Sequence, residues 1–119
     1  MNLSVGDLSA LFQQAFSKRL TVRRIQDEVA QFYGISPDYM RLQDNYRGNR
    51  EQRISHPRQV AMFFARKMTA MSLPQIGDRF GGRDHTTVIH AIRAVEKRAC
   101  NDPYLEMELE VLRERFSAQ

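Results

Sequence analysis

Residues 72–97, SLPQIGDRFGGRDHTTVIHAIRAVEK, constrain the fold more than any other part of this sequence. Ser72 is a suitable N-cap, and Pro74 falls in the first turn of the helix that would follow it. Gly81 and Gly82 then end this short helix, because consecutive glycines favour a turn. The segment therefore predicts two helices joined by a tight turn, which is the layout of a helix-turn-helix motif.

The second helix of this motif has two chemically different faces. Asp84 can cap it, and the apolar residues that follow recur at the spacing of one helical face. The apolar stripe consists of Val88, Ile92, Val95 and Ala99. The opposite face carries Thr86, His90, Arg93 and Lys97. One face thus suits burial in a core and the other suits hydrogen bonds to an anionic partner, as a recognition helix requires.

The same residues resemble a family signature. Residues 76–77, 80–88, 90–91, 93 and 96 match the pattern IGxxFGGRDHTTVxHAxRxxE. This pattern is similar to that of the C-terminal DNA-binding domain of DnaA, the family of bacterial chromosomal replication initiators, and the likeness continues upstream through HPRQVAM to about residue 21. It implies an all-α fold, a compact domain of about six helices with a Trp-repressor-like helix-turn-helix. It also divides the chain into an N-terminal amphipathic helix or linker, residues 1–20, and a DnaA-type helix-turn-helix DNA-binding domain, residues 21–119.

The resemblance further implies double-stranded DNA with a box like TTATCCACA as the partner, and it indicates which residues would contact that DNA. The base contacts implied in the major groove are Pro74, Asp84, His85, Thr86 and Thr87, and the one implied in the minor groove is Arg50. The phosphate contacts implied are Arg58, Gln59, Arg66, Thr69, Leu73, Arg83, His90 and Arg93. Because the box is not a palindrome, one monomer per site is expected.

Arg50 lies in the sequence DNYRGNREQRISH, residues 44–56, which lacks helical periodicity and predicts an exposed basic loop. Pro57 is then predicted to begin a helix, with Arg58 and Gln59 exposed in its first turn. At that position the helix dipole and the backbone N–H groups favour the same phosphate as the two side chains. A solvated charge run and ordinary surface polarity are the alternatives to DNA contact at these positions.

Apolar periodicity predicts further helices on both sides of the motif. Residues 7–18 predict an amphipathic helix. This helix could be a lid on the core, a linker, or a dimer contact through which the chain associates weakly with itself. Residues 21–34 and 36–43 predict two more helices, and residues from 103 onward predict an acidic last helix that lies away from DNA, against the helix beginning at residue 21. The expected core residues are Val22, Ile25, Val29, Phe32, Tyr39, Met40, Leu42, Val60, Ala61, Phe64, Ala65, Met68, Ile76, Phe80, Leu105, Leu109, Leu112 and Phe116.

Positive charge is concentrated in the middle of the chain. The formal net charge is +4, with +1 on residues 1–43, +6 on residues 44–100 and −3 on residues 101–119. A surface that meets phosphates requires such a concentration, whereas a uniformly solvated surface would spread the charge along the chain.

Several classes of function are disfavoured by motifs that the sequence lacks. Cys100 is the single cysteine, so an internal disulfide is excluded and a reducing compartment is indicated. We expect Cys100 to be a small filler residue. We expect the protein to be cytoplasmic and nucleoid-associated. His85 and His90 are five residues apart and no cysteine set accompanies them, so no metal is expected. The sequence has no GxxxxGK[ST] motif, no apolar stretch long enough to span a membrane and no nucleophile tied to a base. We therefore expect no nucleotide, no membrane, no cofactor and no enzymatic activity.

The sequence leaves three interpretations of the biological role. The chain begins at Met1 without an ATPase motif, so we expect a natural stand-alone DnaA-like protein that regulates replication initiation or transcription by competing for boxes. The isolated DNA-binding domain of a full initiator is the alternative within the same family. A helical protein-interaction module, using the first helix and the six methionines, is the alternative outside it, although these methionines are expected in the core or at the chain start.

Overall fold

Helices account for most of the chain that the computed structural model describes, which comprises residues 20–43 and 52–117. No strand occurs in these two ranges, so the all-α prediction is confirmed. The elements are α1 (Val22–Tyr33), the 3₁₀ helix η1 (Pro37–Arg41), α2 (Gln52–Met68), α3 (Leu73–Arg79), α4 (His85–Asn101) and α5 (Pro103–Ser117). The helix predicted at residues 7–18 and most of the predicted basic loop, including Arg50, lie outside the described residues.

The start and end of α1 are those that the sequence predicts. The Thr21 side chain accepts a hydrogen bond from the backbone N–H of Arg24 at 3.1 Å, and the helix ends at Gly34 in the left-handed conformation. Val22, Ile25 and Val29 are buried, as expected. Phe32 is only half-buried and packs against the edge of the core.

The short helix η1 is tighter than an α-helix and ends at Arg41. The Ser36 hydroxyl accepts from the N–H of Asp38, and Pro37 opens the element, as predicted. Met40 is fully buried and holds η1 on the core, while Tyr39 and Leu42 are half-buried.

The central helix α2 begins at Gln52, five residues before the predicted start, so Pro57 is its sixth residue rather than its first. An interior proline removes one backbone hydrogen bond and typically costs about 3 kcal/mol. Burial of Ile54, which is 2% exposed, stabilises the extra turn by about 1.5–3 kcal/mol and offsets most of that cost. Arg58 and Gln59 consequently lie in the second turn, so the expectation that they share a phosphate with the helix N-terminus is wrong.

The core forms around α2, which contacts α1, η1, α3 and α4. Val60, Ala61, Phe64 and Ala65 are fully buried, as predicted, whereas Met68 is partly buried. The Phe64 ring also packs edge-on against Phe116 of α5 at a centroid distance of 5.1 Å.

The last helix α5 packs on α1 and α4, which confirms the predicted packing of the acidic tail against the helix beginning at residue 21. Asp102 ends α4, and its carboxylate accepts from the N–H of Tyr104 at 3.0 Å to begin α5. The Tyr33 hydroxyl donates to Glu108 at 3.0 Å, and thereby joins the end of α1 to the middle of α5. The four predicted core residues of α5 are all buried.

Two minor expectations about single residues are wrong. Cys100 is exposed rather than a buried filler. Met107 is 65% exposed, whereas Met40 and Met62 are buried as expected of core methionines. No helix among the described residues is long and apolar enough to cross a membrane.

Candidate nucleic-acid interface

The start of α3 is fixed by a capping box. The Ser72 hydroxyl accepts from the N–H of Gln75 at 3.3 Å, and the Gln75 side chain accepts from the N–H of Ser72 at 2.9 Å. Ile76 and Phe80 anchor the helix in the core with no exposed surface. Pro74 therefore sits exposed on a rigid first turn, at the position predicted for an apolar base contact.

The turn between α3 and α4 is closed by one carbonyl. The oxygen of Gly77 accepts hydrogen bonds from the N–H groups of Phe80, Gly82 and Arg83, at 3.1, 3.1 and 2.9 Å. A Cβ atom on Gly77 would lie 2.0 Å from the carbonyl oxygen of Arg83, so no side chain fits there. The middle of α3 consequently lies directly against the beginning of α4.

The same turn also touches the segment after η1. Gly81 has a φ of 85°, and a Cβ atom on it would lie 2.0 Å from the carbonyl oxygen of Leu42. Glycine is required here both by the backbone conformation and by the lack of space.

The first turn of α4 presents a set of exposed polar side chains. The Asp84 carboxylate accepts from the N–H of Thr86 at 3.0 Å and lies 2.9 Å from Nδ1 of His85. The hydrogen bond from Thr86 above all, and the electrostatic effect of the neighbouring His85, lower the pKa of Asp84, which therefore remains a carboxylate and an acceptor. His85 and Asp84 have 56% and 64% of their side-chain surface exposed, and Thr86 and Thr87 are also exposed.

The rest of α4 has the two predicted faces. Val88, Ile92 and Val95 are buried, and Ala99 is partly buried. Thr86, His90, Arg93 and Lys97 are exposed on the other side. The buried face fixes the helix in the domain, so its exposed face is presented as a rigid surface.

Three predicted phosphate contacts cluster where α2 leads into α3. Arg66 is exposed, and its Nη1 donates to the carbonyl oxygen of Met71 at 3.2 Å. The Thr69 hydroxyl donates to the carbonyl oxygen of Ala65 and accepts from the N–H of Met71 at 3.3 Å. Leu73, the first residue of α3, is half-buried beside them. The connection between the two helices is therefore held by side chains that were predicted to meet DNA.

The other predicted phosphate contacts on α2 and in the turn are less accessible. Arg58 is 8% exposed, so the prediction that it lies on the outside of α2 is wrong. Arg83 is 5% exposed, and both arginines are engaged by interactions within the protein. Gln59 is half-buried, and its side-chain oxygen accepts from Arg98 at 2.8 Å.

Comparison with known proteins identifies the family to which these helices belong. The model of a family described as the bacterial DnaA protein helix-turn-helix matches residues 22–95, which include every helix from α1 to most of α4. This chain belongs to that family. The chromosomal replication initiator protein DnaA of Bartonella quintana (strain Toulouse) is 44% identical to it over 112 residues, which are 94% of this chain and 22% of that protein. The chain thus spans about a fifth of the length of this DnaA relative.

Arg98 and His56, which lie beside Gln59, were not predicted from the sequence as part of this interface. Nη2 of Arg98 donates to Gln59 and lies 3.0 Å from Nδ1 of His56, so α4 is linked to α2 by a polar contact. A positional signal was present, because Arg98 follows Val95 by three residues and thus falls on the inward side of the helix. An arginine at such a position indicates a buried polar partner.

Within residues 20–43 and 52–117, no three His, Cys, Asp or Glu side chains are placed where they could hold a metal ion together.

Proposed function

We propose that this chain binds double-stranded DNA at a box resembling TTATCCACA, with the first turn of α4 in the major groove. The observation that supports this most is the row of exposed polar residues 84–87 on a helix whose opposite face is buried in the core. A related protein is named as a chromosomal replication initiator, and 94% of this chain aligns with 22% of that protein.

The side chains of this row suit the edges of base pairs. The Asp84 carboxylate accepts from an amino group of cytosine or adenine. His85 and Thr86 hydrogen-bond to base edges or contact the methyl group of thymine. Pro74 and Thr87 provide the apolar contacts beside them.

Phosphate contacts orient the domain on the duplex in this proposal. Arg66, His90 and Arg93 are exposed and have the right chemistry, and Thr69 and Leu73 lie beside Arg66. Arg58 and Arg83 are proposed to contribute through the small part of their surface that is exposed.

Fluorescence anisotropy with labelled duplexes tests the proposal. One duplex carries the box and a second has the same bases in scrambled order, and both are titrated at several salt concentrations. We expect affinity that falls with salt and is at least about a thousandfold higher for the box. Equal affinity for the two duplexes would contradict sequence-specific binding.

Arg50 is proposed to enter the minor groove beside the A/T-rich part of the box, where a narrow groove concentrates negative potential. Arg50→Ala should weaken binding most when that part is A/T-rich, and much less when G·C pairs replace it. Arg47→Ala, in the same segment of the sequence, is the matched control for the general loss of a positive charge. An identical response of the two variants to the G·C replacement would exclude the minor-groove role.

We further propose that these residues, when they act without an ATPase module, compete with full-length DnaA for boxes and thereby regulate replication initiation or transcription. By mass action, the apparent affinity of the initiator falls as the concentration of its competitor exceeds the competitor's own dissociation constant. Footprinting with both proteins measures this displacement. Simultaneous occupancy of one box at saturation would rule out competition and leave DNA binding itself unaffected.

A further inference from the structure

Arg98 continues the inward face of α4 toward its C-terminal end. Val88, Ala91 and Val95 precede it at spacings of three or four residues, and all three are buried. The Arg98 guanidinium therefore reaches across to α2, where Nη2 donates to Oε1 of Gln59 at 2.8 Å and lies 3.0 Å from Nδ1 of His56. Because one guanidinium nitrogen carries two protons, each of these two acceptors receives one of them.

The two contacts determine how both partner side chains are oriented. Arginine has donors and no acceptor, so Gln59 must turn its carbonyl oxygen toward Arg98. The NH₂ group of Gln59 is then on the side of the amide away from Arg98. For the same reason, Nδ1 of His56 is the unprotonated nitrogen, and its proton lies on Nε2.

We propose that Arg98 is a positioning residue for the DNA interface, which holds the Gln59 amide with its NH₂ donors ready for a DNA phosphate. This inference rests on the proposed function and on the phosphate contact that the family resemblance implies for Gln59. An unrestrained glutamine loses side-chain entropy on binding, whereas Gln59 has lost it already in the free protein. Arg98 thus acts on DNA through Gln59.

Neutral His56 is required for this arrangement, since protonation would turn Nδ1 from an acceptor into a donor. The groups that face His56 are Arg98 of α4, Asp102 at the end of α4, Glu108 of α5 and the ring of Tyr33 in α1, at 5.3 Å. Burial, and then the charge of Arg98, lower the pKa of His56. The neutral form of His56 is therefore the one present at neutral pH.

Nitrogen NMR of the free protein tests the first part of the inference. Labelled His56 should show the tautomer protonated at Nε2, with an unprotonated Nδ1. A tautomer protonated at Nδ1 would overturn the inference, because Arg98 has no atom that accepts from it. This measurement does not depend on whether the protein binds DNA.

A double-mutant cycle tests the second part. Gln59→Ala and Arg98→Met are made singly and together, and the dissociation constants for the box duplex are measured. Losing one phosphate hydrogen bond should weaken binding about fivefold in each single variant. In the Gln59→Ala background, Arg98→Met should have an effect about fivefold smaller than in the wild type. Any loss that comes only from the missing charge is the same in both backgrounds and cancels.

The cycle separates this inference from the proposed function. If the wild type prefers the box and Arg98→Met has the same effect in both backgrounds, the positioning role is wrong and the proposed function stands. If the wild type does not prefer the box, the proposed function fails, and this inference fails with it whatever the tautomer of His56.

The variants are chosen to remain folded. Nε of Arg98 is buried without a hydrogen-bond partner in the described structure, so a methionine of similar length removes an unsatisfied group. Arg98→Lys is the conservative variant, because its ammonium can donate to the same acceptors. Arg98→Lys should bind the box more tightly than Arg98→Met, and equal losses would count against positioning.

Discussion

Replacing Gly77 by alanine should destabilise the domain because the turn between α3 and α4 leaves no space at this residue. The new Cβ atom would lie 2.0 Å from the carbonyl oxygen of Arg83, so the turn must open by at least about 1.4 Å to reach an ordinary contact distance of 3.4 Å. Overpacking of this kind costs about 1–3 kcal/mol. The opening also weakens the hydrogen bonds that Gly77 accepts from Gly82 and Arg83, at about 1 kcal/mol each.

One effect opposes this loss. Alanine is favoured over glycine inside a helix by about 1 kcal/mol, and Gly77 lies within α3. The expected net destabilisation is therefore about 2–4 kcal/mol, which corresponds to a melting temperature at least about 8 °C lower. Because α4 must move with the turn, affinity for the box should fall as well.

Gly82→Ala is the matched control in the same turn. Gly82 has a φ of 77°, but a Cβ atom there meets nothing within 4 Å. Its substitution should cost only about 1 kcal/mol, the strain of a left-handed backbone on a residue with a side chain. Urea unfolding of both variants measures the difference. A loss for Gly77→Ala no larger than that for Gly82→Ala would refute the argument from close packing.

Three further predictions concern the interface itself. His85→Ala should cost about 1–3 kcal/mol of binding free energy on the box and little on scrambled DNA, and equal losses in anisotropy titrations would contradict a base contact. Arg66→Ala should weaken binding to both duplexes alike and lower the salt slope by about 0.9, so a change confined to the box would argue against a phosphate contact. The pKa of Asp84 is lowered by the N–H of Thr86, so the stabilisation from this cap is present above the ordinary pKa of 3.8 and is lost as pH falls through the lower, folded value. Asp84→Asn keeps a capping acceptor that does not titrate. Its free energy of unfolding should therefore decrease less than that of the wild type as the pH is lowered through that range. Parallel curves of unfolding free energy against pH for the two proteins would refute this linkage.

The sequence was sufficient wherever local chemistry decides the structure. Thr21, Ser72 and Asp84 cap helices as predicted, because a short polar side chain before an apolar period satisfies the free N–H groups of the first turn. The buried faces of α4 and α5 also follow from their periodicity. The helix-turn-helix could therefore be predicted from its residues alone.

The start of α2 and the burial of its polar residues were not predictable in the same way. Pro57 is a strong local signal for a helix start, yet the helix begins five residues earlier because Ile54 is buried. The burial of Ile54 depends on the neighbouring helices, which the local sequence does not specify. Arg58 therefore lies about one turn further into the helix than predicted, and its burial, with 8% of its surface exposed, has no local signal in the sequence. The partnership of Arg98 with Gln59 joins residues that are 39 positions apart, a separation at which periodicity carries no information.

The close approach of Gly81 to Leu42 has a consequence for the length of the DNA site. Gln43, the next residue, is the last one described before the segment that contains Arg50. At Leu42 the chain is thus in contact with the turn between α3 and α4, only eight residues before Arg50, the proposed minor-groove contact. We expect this attachment to set how many base pairs separate the part of the box read by Arg50 from the part read by α4. A box with one base pair inserted between the two parts should then engage either of them, but not both at once.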